Sequence, residues 1–120
     1  MGSWLHFSNR FREVVGKAHG KLVICADYRL LHPMAPDIAN AWLGGLREMN
    51  PKLERSALLL PAGAPAVRLQ IERVLREAKH PGRRACSDAA EVKAWLSSCL
   101  DSAEQARLTQ FLAWTAVRPK

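Results

Sequence analysis

"KLVICAD", Lys21–Asp27, decides how this chain is read. It is a short apolar run rich in β-branched residues, too brief for a helix and without the alternation of a half-exposed strand. Those properties predict a central strand covered on both faces, with Asp27 at its carboxyl end. The overlapping stretch "CADYRLLHPMAP", residues 25–36, then gathers a thiol, a carboxylate, a phenol, a guanidinium and an imidazole.

Working downstream, Pro36 and Asp37 suit the first turn of a helix, and Ile38, Trp42, Leu46 and Met49 repeat along one face with Ala39 and Leu43 beside them. Asn50 and Pro51 end it. Gly44 and Gly45 within this helix imply either close approach to the sheet or a kink. "SALLLP", residues 56–61, is a second short strand, and the intervening helix makes a parallel crossover its natural connection. A helix over residues 64–79 turns Val67, Ile71, Val74, Leu75 and Ala78 inward, and "HPG" at 80–82 terminates it. "RRACS", residues 83–87, is a third strand, charged at its start as an edge strand often is. Asp88 with Glu91 forms a capping box for a helix carrying Val92, Trp95, Leu96 and Cys99, and Ser102 with Gln105 repeats the device. The last helix carries Leu108, Phe111, Leu112 and Thr115.

Upstream, Ser8 can cap a helix over residues 9–19, with Phe11, Val14, Val15 and Ala18 on one face and Gly20 as a left-handed stop. The alternation in "SWLHF", residues 3–7, can supply an N-terminal strand. The resulting fold class is α/β: a small, mostly parallel sheet of three to four strands flanked by helices, with an extra C-terminal helix.

The 120 residues, 48% hydrophobic, have the size of one domain, residues 1–120. "MGS" resembles an expression-vector start, so the natural protein is expected to begin elsewhere or to continue further upstream, with N-terminal strands truncated. Cys25, Cys86 and Cys99 form no CxxC pair and read as reduced thiols in a cytoplasmic protein. No apolar run approaches the roughly 18 residues of a membrane span. The formal charge of +7 suits a polyanionic partner. Yet Arg68, Glu72 and Arg76, and Arg73 with Glu77, fall at i, i+4 spacing, which is how a solvated helix face balances itself. Nucleic-acid binding is therefore not expected.

The quoted segments from "KLVICADYR" through "PMAPDIANAWLGGLRE", "ERSALLLP", "VRLQIERVLRE" and "RRAC" to "SDAAEVKAWL" resemble the anti-sigma-factor antagonist (STAS) fold, and more closely its divergent bacterial relatives. The resemblance covers residues 21–96 and rests on element order and hydrophobic pattern. It implies a non-enzymatic signalling or regulatory module that binds other proteins. Typical members carry a phosphorylated Ser or Thr at the start of the helix after the central strand. Between Asp27 and Ile38 this chain has neither, so that switch does not carry over.

No catalytic residue is assigned. Cys25, Asp27 and His32 invite a nucleophile reading, but Cys25 lies inside the apolar run, where a thiol is desolvated and inert. Asp27 occupies the strand end where open α/β sheets place ligands, or accepts N–H bonds within its own loop. Tyr28, Arg29 and His32 form an expected exposed rim. With Asp27, Asp37 and Trp114 they make up the expected partner-binding residues, for a protein partner in a signalling pathway or a second copy of the chain. The alternative is an anion or lipid-headgroup site at Arg68, Arg73 and Arg76; a further one is an enzyme using Asp27 and His32. No cofactor is expected, and no metal, since the histidines lack ligand spacing. "PAGAPA", residues 61–66, lacks the glycine spacing and lysine of a phosphate loop.

Overall fold

A computed structural model describes residues 3–5 and 12–113. Five strands and four α-helices follow one another as β1 (Ser3–Leu5), β2 (Arg12–Ala18), β3 (Lys21–Asp27), α1 (Pro36–Met49), β4 (Leu53–Leu59), α2 (Pro65–Ala78), β5 (Arg83–Cys86), α3 (Ala89–Leu96) and α4 (Ser102–Ala113). The sheet order is β1-β2-β3-β4-β5. Strands β3, β4 and β5 are parallel, and β1 and β2 add an antiparallel ribbon against β3.

The α/β class and the flanking helices are as the sequence implies. The ribbon is the difference. Over residues 12–18 the chain is a strand, whereas the sequence pattern had suggested a helix. Val14 and Val15 favour extended backbone once a partner strand is present, and Ala18 pairs with Lys21 across a two-residue turn. In that turn His19 and Gly20 both adopt positive φ, 57° and 77°. This is the turn geometry that matches the twist of a tight hairpin, so Gly20 closes a hairpin where a helix stop was expected. The edge of β3 is thus covered from within the chain, and no second chain is required to complete it.

Side chains alternate across the strands and build two cores. On one face Val23, Cys25, Ala57 and Leu59 pack under Val92 and Leu96 of α3 and Leu108, Phe111 and Leu112 of α4. On the other, Ala26, Leu58 and Leu60 meet Val67 and Ile71 of α2. Helix α1 shares that second face, but its buried Ala39 and Leu43 pack against Val74 and Ala78 of α2. Ile38, expected inward, is 54% exposed.

Two fixtures hold the layers in register. The Trp95 indole N–H donates to the carbonyls of Ser56 (2.9 Å) and Gly82 (3.2 Å), which ties α3 to β4 and the start of β5. His80 Nε2 lies 2.9 Å from the Leu53 carbonyl and Nδ1 accepts from the Gly82 N–H at 2.9 Å, so this imidazole is a structural brace. Helix α3 has its expected cap, with Asp88 Oδ1 accepting from the Glu91 N–H at 2.8 Å. Helix α4 is capped one residue earlier than the sequence pattern implied: Asp101 and Glu104 exchange reciprocal bonds of 2.8 and 3.0 Å. No described helix is long and apolar enough to cross a membrane.

Candidate functional site

The strand-end stretch separates into inward and outward parts. Cys25 is 1% exposed, a core thiol. Asp27 is buried beside it. Its Oδ1 accepts from the Arg29 backbone N–H (3.1 Å) and Nε (2.9 Å), and Oδ2 accepts from Nη2 (2.8 Å). That fork raises the Arg29 pKa, the hydrogen bonds to Asp27 being the main cause. Asp27 therefore closes its own loop, as aspartates at such turns commonly do.

Tyr28 corrects the expected rim. It is buried, because it continues the side of β3 that carries Ala26 and so turns under α1. Its ring meets Trp42 edge-on, with centroids 5.9 Å apart, and burial raises the pKa of its hydroxyl. What remains outward is His32 and Asp37, joined by Leu30 (55% exposed) and Ile38. The loop is pinned where it passes α2: Gln70 Oε1 accepts from the Met34 N–H and Gln70 Nε2 donates to the Met34 carbonyl, both at 2.7 Å. Trp114 lies outside the described residues.

The basic face of α2 is balanced as its spacing implied. Arg68 pairs with Glu72 at 3.1 Å and also donates to Ser87 Oγ, while Arg73 pairs with Glu77 at 3.3 Å. Arg76 is exposed. Two of the three arginines proposed as an anion site thus already hold carboxylates. Among the described residues no group of three or more His, Cys, Asp or Glu is placed to hold a metal ion.

An apolar recess lies beneath α1. A cavity of about 340 Å³ is bounded by the sheet residues Glu13, Ile24, Ala26, Tyr28, Leu53, Ser56, Leu58 and Arg83 and by Trp42, Gly45, Leu46, Met49 and Leu75 of the helices. Its origin is local. Ala26 and Ser56 on the floor and Gly45 in the roof are small, and α1 leans on α2. A Cβ at Gly44 or Gly45 would meet nothing within 4 Å, and α1 runs unbroken past both. Neither close approach nor a kink explains the pair, but Gly45 leaves the cavity roof open. The volume is in the range of small-molecule sites, and the wall is apolar with a few polar groups.

Those polar groups are unusual. Glu13 makes no hydrogen bond or ion pair with the described residues, and burial pushes its carboxyl up to about 7. Arg83 is 9% exposed, and burial lowers its pKa. It donates to Asn50 Oδ1 (2.9 Å) and to the Leu46 carbonyl (2.9 Å), both uncharged acceptors, and has no carboxylate partner among the described residues. Ser56 is 6% exposed, and its hydroxyl has no partner there either. Ser56 and Arg83 sit directly opposite one another on β4 and β5, which brings their side chains to the same corner.

The sequence pattern missed this site for two reasons. With residues 12–18 read as helical, Glu13 fell on a solvated face; the alternation Glu13, Val15, Lys17 was the signal that could have found it. The charged start of "RRACS" implies an exposed edge, although strand alternation puts Arg83 on the α1 side. A scan against protein-family models, a search of curated proteins and a search of solved structures each returned no match.

Proposed function

We propose that this chain is a non-enzymatic regulatory module, STAS-like in the order of its elements, that binds a small, largely apolar molecule in the cavity under α1. The observation that carries this reading is the cavity itself: about 340 Å³, apolar-walled and lined by Glu13, Ser56 and Arg83, whose side chains keep polar atoms without a partner among the described residues. The resemblance over residues 21–96 supplies the signalling context, and the missing Ser and Thr between Asp27 and Ile38 make a ligand, in place of phosphate, the input.

The test uses a neutral apolar dye, Nile red, and the variant Gly45→Trp. Position 45 is exposed, with open space at its Cβ, so the indole can enter the opening; replacing a mid-helix glycine by Trp also favours α1 by a few tenths of a kcal/mol. Saturable one-to-one binding to the wild type, abolished in the variant, is expected. Equal binding by both proteins refutes the cavity as the site.

Contact with a protein partner through the 28–37 loop and the start of α1 is the second reading. It is favoured by Leu30 and Ile38, each more than half exposed on a loop held by the Asp27–Arg29 fork and the Met34–Gln70 clip. The double variant Leu30→Asp, Ile38→Asp should lose partner association and keep dye binding. Retained association would remove the loop from the interface.

A further inference from the structure

The corner where β4 and β5 meet the end of α1 carries an uncompensated positive charge. Arg83 is almost fully withdrawn from water, and its guanidinium is satisfied on one side by the Asn50 amide oxygen and the Leu46 carbonyl. A guanidinium offers five N–H donors, so these two bonds leave others without a partner among the described residues. Buried charges are ordinarily paired, because removing an ion from water costs several kcal/mol even after relaxation. Here the carboxylate that would pair is missing from the described residues. Directly opposite, the Ser56 hydroxyl is a second buried donor with no acceptor among the described residues.

From this corner the cavity runs across the sheet over Ile24, Ala26 and Leu58, beneath Trp42 and Leu46. It ends at β2, where Glu13 stands in the row of Ala26 and Leu58. Strands β2 and β5 are separated by three strand spacings, about 14 Å. The cavity is therefore elongated, with a cationic donor corner at one end and apolar walls along its length.

We infer that the occupant is an amphipathic organic anion of the fatty-carboxylate class, its carboxylate bound by Arg83 and Ser56 and its alkyl chain lying across β3 and β4 beneath α1. This deepens the cavity reading and rests on it. A planar fork facing a carboxylate is the pairing arginine is built for, and the Ser56 hydroxyl supplies a further hydrogen bond to the same group. A neutral or cationic head at this corner would leave Arg83 uncompensated, so head charge decides affinity. Chain length tunes it, at about fourfold per buried methylene until the space is filled.

Decanoate, decanol and decylamine share one chain and differ in the head, so calorimetric titration of the full chain with each, below micelle formation, isolates the anion requirement. Decanoate should bind about tenfold or more tightly than decanol, and decylamine weakest. Arg83→Met should abolish the preference, so that decanoate and decanol bind that variant equally. Ser56→Ala, which preserves packing and charge, should weaken decanoate severalfold and serves if the arginine variant does not fold. Equal affinity for decanoate and decanol, or a preference for decanoate that survives Ser56→Ala undiminished, overturns the assignment of the head. In that case Nile red binding blocked by Gly45→Trp still stands for the cavity. Failure of all four probes removes the cavity reading itself.

Discussion

Replacing Glu13 by Gln should stabilise the protein in a pH-dependent way. In the unfolded chain the carboxyl titrates near the model value of 4.5, and in the folded chain near 7. Between those values the folded state holds a proton that the unfolded state has released, so stability falls as pH rises through this window. Below pH 4.5 both states are protonated and Glu13 costs nothing; above pH 7 both are ionised and the cost is complete. Each pH unit of separation corresponds to about 1.4 kcal/mol, giving about 3 kcal/mol as an upper bound, which the partial access of water to this side chain lowers toward 1. Glutamine keeps the shape and never ionises. The variant and the wild type should therefore unfold in urea with equal free energy at about pH 4, and the variant should be more stable by about 1–3 kcal/mol at about pH 8. The other ionisable groups lining the cavity do not confuse the comparison: burial moves the Tyr28 hydroxyl upward, away from this range, and Arg83 keeps its charge throughout. A difference that stays flat with pH, or a variant less stable at pH 8, would refute the withdrawal of this carboxyl from water.

Gly82→Ala should destabilise by about 1–3 kcal/mol in the same assay, since the added methyl would lie 2.5 Å from the Glu54 carbonyl oxygen and 2.9 Å from a His80 ring that its own hydrogen bonds hold in place. An unchanged unfolding midpoint would show that β5 does not enter the sheet as described. Among the thiols, Cys25 and Cys86 are 1% and 0% exposed, and burial pushes the Cys86 thiol up to about 11. A disulfide reagent at about pH 8 should modify one thiol quickly, the half-buried Cys99, and the other two only in denaturant; two fast thiols in the native protein would contradict this core.

What was legible in the chain followed from periodicity. The apolar run at residues 21–27 could only be a covered strand, and the helical spacing of Val67, Ile71, Val74 and Ala78 fixed the inward face of α2. Capping pairs were legible too, although the choice between Ser102 and Asp101 depended on a one-residue difference in where α4 begins. The segment over residues 12–18 was not legible in isolation. Phe11, Val14, Val15 and Ala18 fit a helix stripe, and the strand character of residues 12–18 appears only with β3 as a partner. The same dependence hid the site, because Glu13 and Arg83 meet the cavity from strands three spacings apart, and no sequence spacing relates them. Tyr28 was misplaced for a smaller reason: a residue just after a strand still obeys its alternation.

The cavity and the strand-end loop share more than proximity. A ligand can shift an equilibrium only by the difference in its affinity for two conformations, so an occupant matters to a partner only if the cavity wall and the partner surface move together. Tyr28 is the residue that joins them. Its ring and that of Trp42 face the cavity, its N–H donates to the Leu59 carbonyl at 2.8 Å, and its own carbonyl accepts from the Leu31 N–H at 3.0 Å. Leu31 is buried while Leu30 beside it is exposed, so a displacement of the Tyr28 ring passes through one backbone bond to the apolar surface proposed for the partner. On the opposite face Val23, Cys25, Phe111 and Leu112 belong to a separate core that the Tyr28 ring does not enter. Amide exchange at Leu30 and Leu31 should therefore slow on decanoate binding while amides of α4 stay unchanged. Equal protection on both faces would mean general stabilisation, with no signal directed to the loop.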